Sequence, residues 1–192
     1  MHAPQVIVVA GPNGAGKTTA SKGVLRDMLP VVEFVNADAI AAGLSGYAPG
    51  AAAISAGRIM LARLRELAHA RADFAFETTL ASRTFAPFLR TLRGEGYEVN
   101  VLFLWLSNPA VAVRRVKSRV AEGGHSVPED VVRRRYQRGL ENFFALYRPL
   151  ADRWRLYDNS GSGSPQAVAS GTRDDVLCVQ DARRWSRVLR SR

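Results

Sequence analysis

Short runs of β-branched and aromatic residues alternate along this chain with longer segments whose apolar positions recur three and four apart. Gln5–Ala10 (QVIVVA) is the first strand-like run, and a second is expected over residues 31–36. Between them the stretch 18–29 is compatible with a helix. A long amphipathic helix follows, with Ile54, Gly57, Leu61, Leu64 and Ala68 on one face and Arg58, Arg65 and Glu66 off it. "DFAFETTL" reads as a strand, 82–93 as a helix, and "YEVNVLFLWLS" as the strongest strand in the chain. Pro109 sits where a helix opens, because its fixed φ and missing N–H suit a first turn. "GGHSVP" breaks that helix. Another is expected from about 128 to 147, its face made by Val132, Tyr136, Leu140, Phe143 and Tyr147. "WRLYDN" is a strand, "SGSGSP" a flexible connector, and "DDVLCVQD" then "ARRWSRVL" a final strand and helix. Strands alternating with helices predict an α/β fold: a parallel sheet flanked by helices. No repeat and no linker divides residues 1–192, which are expected to form a single domain.

The one break in the first strand–helix unit carries chemistry. From Gly11 to Thr18 the residues fit G-x-x-x-x-G-K-[ST], between a strand and a helix start. Glycines there let the backbone curl so that successive N–H groups face phosphate oxygens, and the helix end adds partial positive charge. Lys17 is placed to reach β- and γ-phosphates, and the Thr18 hydroxyl to ligate Mg²⁺. The nucleotide-contacting set is Gly11, Pro12, Asn13, Gly14, Ala15, Gly16, Lys17, Thr18 and Thr19. A nucleoside triphosphate, ATP or GTP, is therefore the expected cofactor with Mg²⁺. A bare glycine turn between strand and helix is the plainer alternative.

Composition narrows the class. The 192 residues are 47% hydrophobic and 23% charged, as in soluble globular proteins. No apolar run reaches membrane-span length, and the first strand is too short for a signal-peptide core. The single cysteine, Cys178, forms no internal disulfide, which fits the reducing cytoplasm. The net charge of +10 suits nucleotides and an acidic protein partner. It also suits nucleic acid, but no nucleic-acid module accompanies it, so nucleic acid is disfavoured.

Ligands of open parallel sheets collect at the carboxyl ends of the strands. Asn36 and Asp38 follow the second strand, Glu77, Thr78 and Thr79 the third, Asn108 the fourth, and Asp158 and Asn159 the fifth. Asp38 and Glu77 thus share a rim with the phosphate loop. A kinase needs a carboxylate near the acceptor hydroxyl and cations for the migrating phosphoryl. Asp38 fits the first need, or is only the N-cap of a short helix over 39–43. Glu77 orients substrate or metal-bound water, or is a solvated strand-end residue. Arg115 and Arg119, four apart, share a helix face, and Arg133, Arg134 and Arg135 follow the break. This helix–loop–helix, about 109–147, is expected to be a lid whose arginines bind phosphates with their fork of donors. The alternative is a solvated basic face. His125, beside the paired glycines, is a candidate substrate contact or an incidental turn residue.

"GPNGAGKTT", "FVNADAIA", "FETTL", "VKSRVAEGGHSVPEDVVRRRY" and "LYDNS", in that order, resemble the zeta-toxin family of bacterial toxin–antitoxin systems, in its compact chromosomal branch. The resemblance implies a P-loop kinase fold with a helical lid insertion. It implies transfer of the ATP or GTP γ-phosphate to a hydroxyl of UDP-N-acetylglucosamine or a related nucleotide sugar, which blocks cell-wall synthesis. A small antitoxin that obstructs the nucleotide site is the implied partner. Residue by residue, Lys17 matches the family's phosphate-loop lysine and Thr18 its metal-side hydroxyl. Asp38 matches the proposed base, and Glu77 and Thr79 the groups that hold the acceptor sugar. Arg119 matches the first lid arginine; the second falls within Arg133–Arg135, with Arg134 chosen. The longer family members carry further segments around the sugar site. Two other functions are compatible with the residues alone: a kinase of another small metabolite, or a basic NTP-dependent switch that binds nucleic acid or a protein.

Overall fold

A computed structural model of the chain describes residues 3–21, 33–45, 52–124 and 126–192. Most of the helix expected over 18–29, the start of the strand expected over 31–36, and His125 lie outside the described residues.

The centre is a sheet of seven strands in the order β2-β3-β1-β4-β5-β6-β7. Here β1 is Gln5–Ala10, β2 Glu33–Val35, β3 Phe74–Thr78, β4 Glu98–Trp105, β5 Arg153–Asp158, β6 Gln166–Thr172 and β7 Asp175–Val179. The first five strands of the chain pair in parallel. β6 and β7 extend the sheet in antiparallel fashion. The sheet is therefore mixed, and β6 is a strand that the residue pattern did not announce. Its sequence QAVASGT is small and polar, and only Val168, Ala169 and Gly171 are buried. Its partner β7 is exposed at every position, so the alternation that marks a half-buried strand is missing.

Seven α-helices are described: α1 (Lys17–Ala20), α2 (Ala37–Leu44), α3 (Ala53–His69), α4 (Phe85–Gly94), α5 (Pro109–Ala121), α6 (Glu129–Asn142) and α7 (Ala182–Arg190). α6 runs on through a π-helical turn, Phe143–Tyr147. Its expected face holds, since Val132, Tyr136, Leu140, Phe143 and Tyr147 are all buried. The expected face of α3 does not. Its buried stripe is Ala56, Met60, Leu64 and Leu67, and Ile54 is 73% exposed. The two stripes share Leu64 and differ by about a quarter turn; alanine and glycine weigh little in a hydrophobic count, so the pattern fixes the rotation of this helix poorly.

β1 explains the architecture. Val6, Val8 and Ala10 join one core cluster with Phe74, Phe76, Phe103 and Leu64. Ile7 and Val9 join Ala75 and Leu102 on the opposite face. Burial on both faces is what a near-continuous apolar strand predicts, and it places β1 in the middle. Val9 lies in register with Glu77, and Ala10 with Thr78, so the loops after β1 and β3 emerge side by side.

Candidate active site

The phosphate loop has the shape that its residues predict. Gly14 (φ +76) and Gly16 (φ +75) adopt the left-handed conformation, where L side chains are strained. A Cβ on Gly16 would come within 2.8 Å of Asn159 Nδ2. Ala15 is fully buried and packs with Leu104, Leu106 and Val111, which fixes the loop to the sheet. Lys17 opens α1, and its Nζ donates to Pro12 O at 3.0 Å. Burial pushes the Lys17 ammonium below the ordinary lysine pKa. Glu77 and Asp38 pull it back up, and nearby Arg119 pushes it down.

Glu77, at the end of β3, is the hub. Its Oε2 accepts from Thr18 Oγ1 at 2.8 Å and from Asn36 Nδ2 at 2.9 Å, and its Oε1 lies 3.6 Å from Lys17 Nζ. Its side chain is only 12% exposed, so it is not a solvated strand-end residue. Asn36 also caps α2, accepting from the N–H groups of Asp38 (2.8 Å) and Ala39 (3.3 Å). The cap reading of Asp38 is therefore corrected. The helix starts earlier than expected, Asn36 is the cap, and the Asp38 side chain is exposed in the first turn. Its carboxylate is left available to the cleft.

That cleft, about 420 Å³, runs from Asn13 and Lys17 past Asp38 and Glu77 to Thr78, Thr79 and Phe85, and its far side is Arg134, Arg135 and Arg138. Arg134 is half exposed and 3.6 Å from Asp130. Arg133 is turned to Glu129, donating from Nε at 3.0 Å and Nη2 at 2.8 Å, and does not line the cleft. Arg135 and Arg138 were not singled out by the residue reading beyond the basic run. The four-residue step from Arg134 to Arg138 was the available signal, since it puts both on one face.

The break after α5 has a definite job. Gly123 (φ +86) leaves the helix in the left-handed conformation, its N–H bonds Val120 O at 3.0 Å, and Gly124 N bonds Arg119 O at 2.8 Å. This pair of bonds is a Schellman stop, which sets the last turn that carries Arg119. α6 in turn is fixed to the loop after β3. A Cβ on Gly139 would meet Thr79 O at 2.4 Å, Asn142 Nδ2 donates to Leu80 O at 2.8 Å, and Tyr147 OH to Ser82 O at 2.5 Å. Leu80 is fully buried with φ +56, an unusual backbone state for a branched residue that this packing holds in place. Thr79 Oγ1 accepts from Ala81 N at 3.4 Å, leaving its hydroxyl proton able to face the cleft.

The residues fit a nucleoside triphosphate. The glycine-built cradle is capped by the buried, cationic Lys17, and Asn13 Oδ1 is buried with no hydrogen-bond partner among the described residues. Among the described residues no group of three His, Cys, Asp or Glu is arranged to hold a metal. Thr18 with Glu77 and Asp38 nearby suits Mg²⁺, which takes one or two protein ligands beside phosphates and waters. No described helix is long and apolar enough to cross a membrane.

Comparison with known proteins bears on the family and the fold. The Zeta toxin family profile matches residues 1–164. An uncharacterized protein of Haemophilus influenzae is 28% identical over 132 residues, 69% of this chain and 92% of that protein. Among solved structures, the AvrRxo1-ORF1:AvrRxo1-ORF2 complex with sulphate ions superposes with a TM-score of 0.76 at 16% identity over 97% of this chain. The chain spans 63% of that protein's length; the same complex has been solved with ATP. The PezAT chromosomal toxin–antitoxin system of Streptococcus pneumoniae superposes with a TM-score of 0.63 at 16% identity, over 88% of this chain and 72% of that one. The fold is that of the P-loop kinases, and with most of its length matched the chain belongs to the Zeta toxin family.

Proposed function

We propose that the chain is a phosphotransferase that moves the γ-phosphate of ATP or GTP to a hydroxyl of a nucleotide sugar, UDP-N-acetylglucosamine first among them. One observation carries this reading: the phosphate-loop lysine, an uncapping carboxylate and three arginines open onto the same cleft. In this reading the triphosphate lies in the cradle, and Lys17 turns from Glu77 toward the β- and γ-phosphates. Glu77 keeps its bond to Thr18, so the Thr18 oxygen keeps a lone pair directed away from the carboxylate. Thr18, with Glu77 beside it, would hold Mg²⁺, which would supply charge neutralisation to the triphosphate. Thr79 and Glu77 hold the acceptor; Asp38 takes the proton of its hydroxyl as the oxygen bonds phosphorus and the bond to the β-phosphate oxygen breaks. Arg119 and Arg134 neutralise the migrating group. His125 remains a proposed substrate contact.

PezAT, a toxin–antitoxin system, supports a small antitoxin as partner, and with it a toxin's role. The whole of residues 1–192 is proposed to act as one kinase domain in the cytoplasm, with α5, α6 and the turn between them as its lid.

The test is incubation with labelled ATP and a panel of UDP-sugars, read by mass. A gain of one phosphate by UDP-N-acetylglucosamine, lost in Lys17→Ala, is expected. Transfer only to a simple sugar or nucleotide would replace the acceptor, and ATP hydrolysis with no acceptor at all would replace the reaction.

A further inference from the structure

The phosphate loop binds anions only if its N–H groups point inward, and then its carbonyls point outward and need partners. The structure assigns those partners to a polar relay that starts in the C-terminal helix. Arg115 Nη1 donates to Gly14 O at 3.4 Å, and Asn159 Nδ2 donates to Ala15 O at 2.7 Å. These two side chains are themselves tied together. Arg115 donates to Asn159 O (2.7 Å), Ser160 O (3.2 Å) and Gly161 O (2.6 Å), so it gathers the loop after β5 against the phosphate loop. That loop is held from below by Asp158. Its Oδ1 accepts from Ser160 N at 2.9 Å and from the Ser160 hydroxyl, while Ser107 N donates to Ser160 Oγ at 2.8 Å. Asp158 is buried, and the cation that balances it is Arg184 of α7, whose Nε donates to Oδ2 at 3.0 Å.

We infer that Arg184 is a positioning residue for nucleotide binding, acting through Asp158, the 159–161 loop and Arg115 on the backbone of the phosphate loop. Arg184 lies beyond the residues that the family profile matches, and the nucleotide-site motifs do not include it. The inference rests on the proposed nucleotide site and deepens it. Removing Arg184 leaves a buried carboxylate without its cation, and the Ser160 turn that it shapes loosens. The loss then appears in phosphate affinity, some distance from the helix that was changed.

The test measures ATP and tripolyphosphate affinity by calorimetry on the full chain. The variants are Arg184→Met, Arg115→Met, their combination, and Val188→Ala. Arg184→Met is expected to weaken both ligands on the order of 10-fold, the scale of a lost charge-assisted bond. Tripolyphosphate must be affected, because the effect lies in the phosphate cradle. The double variant should resemble Arg115→Met alone within about threefold, since both act through one loop. Asp181 accepts from the Arg184 N–H at 2.8 Å and also from its guanidinium Nη1, so it belongs to the relay and is no control. Val188→Ala instead removes a buried contact of α7 and leaves the bonds of Arg184 in place. It should lower Tm with little change in ATP affinity, which separates positioning from mere support of the helix. If Arg184→Met fails to fold, Arg184→Lys, which keeps the charge without the fork, carries the same expectation in weaker form. Unchanged affinity in the Arg184 variants, or fully additive losses in the double variant, would overturn the assignment alone. A wild-type chain that binds neither ligand would overturn the nucleotide site and this assignment with it.

Discussion

The two sides of the cleft are built differently. On the phosphate side the backbone does the binding, and its shape is held by bonds already made: Ala15 O to Asn159, Gly14 O to Arg115, Pro12 O to Lys17. On the far side, where the acceptor is proposed to sit, the lining is long arginine side chains. Arg134 is half exposed and its ion-pair partner, Asp130, is a neighbour on its own helix. A pre-shaped cradle loses little entropy on binding, whereas arginines recruited by a ligand must be ordered by it. The difference implies that nucleotide recognition is built into the loop and that acceptor recognition depends on what the acceptor offers to those arginines. It also fits the chemistry: a triphosphate is common to the fold, and the acceptor is what members can vary.

The largest effect expected is at the cradle. Lys17→Met should nearly abolish transfer, yet leave the nucleotide-free protein as stable as wild type or more so. A buried ammonium with a lowered pKa is a burden in the empty site. The sign follows from linkage. Between the lowered folded pKa and the ordinary lysine value, the unfolded chain binds more protons, so wild-type stability rises with pH in that window. In Lys17→Met that rise should vanish. Thermal melts across pH beside transfer assays check both halves; a variant that melts far lower would mean that Lys17 supports the fold.

Next come the arginines. Arg119→Ala should slow transfer by on the order of 10³, with a much smaller loss in ATP affinity, as for a cation needed in the transition state. Arg133→Ala should leave transfer within about twofold, because Arg133 is spent on Glu129 and does not reach the cleft. Equal losses in both variants, read by single-turnover kinetics, would erase the distinction between the arginine near Lys17 and the one turned to Glu129.

Smaller still is the effect expected at the fastening of α6. Gly139→Ala forces α6 away from Thr79. It should raise the acceptor KM by roughly 10-fold with the ATP KM unchanged, as misplaced positioning groups do. A matching rise in the ATP KM would show that the two sides of the cleft are one rigid unit.

The smallest is a pH effect. Burial pushes the phenols of Tyr136 and Tyr147 up to about 12, and both donate to carbonyls, Leu106 O and Ser82 O. Their folded state holds the proton that the unfolded chain gives up near pH 10. Stability should therefore fall as pH rises from about 10 to about 12. Tyr136→Phe should flatten that slope, as measured by denaturant unfolding across this range.

Legibility followed the same divide. The phosphate loop, the strand ends and the buried face of α6 were readable because a motif or a strict period fixes them locally. Glu77 was placed on the rim, but its partners Thr18, Asn36 and Lys17 come from helix starts far from it in sequence, and no local pattern records them. Asp38 was mistaken for a possible cap because Asn36 and Asp38 both suit that place. The helix start two residues earlier decided it. β7 was read as the last strand, but β6 was missed, because its small, polar residues at a sheet edge bury too little to leave a period. The relay from Arg184 to Arg115 joins residues nearly 70 apart; Arg115 was expected on a phosphate-binding lid face and is instead bonded to backbone carbonyls, and Arg184 was read only as part of the final helix.

Asp38 is where the proposed kinase chemistry meets the structure most closely, because its capping role is taken by Asn36 and its exposed side chain lines the cleft. The deciding measurement is single-turnover transfer from labelled ATP to UDP-N-acetylglucosamine by wild type and Asp38→Asn, with melting temperature and ATP affinity alongside. Transfer should fall by roughly 10² or more while melting and ATP affinity hold, in line with the worth of a positioned base. Undiminished transfer in Asp38→Asn would contradict the assignment of Asp38 as the base and, with no other exposed carboxylate named at the cleft, move the search to Glu77.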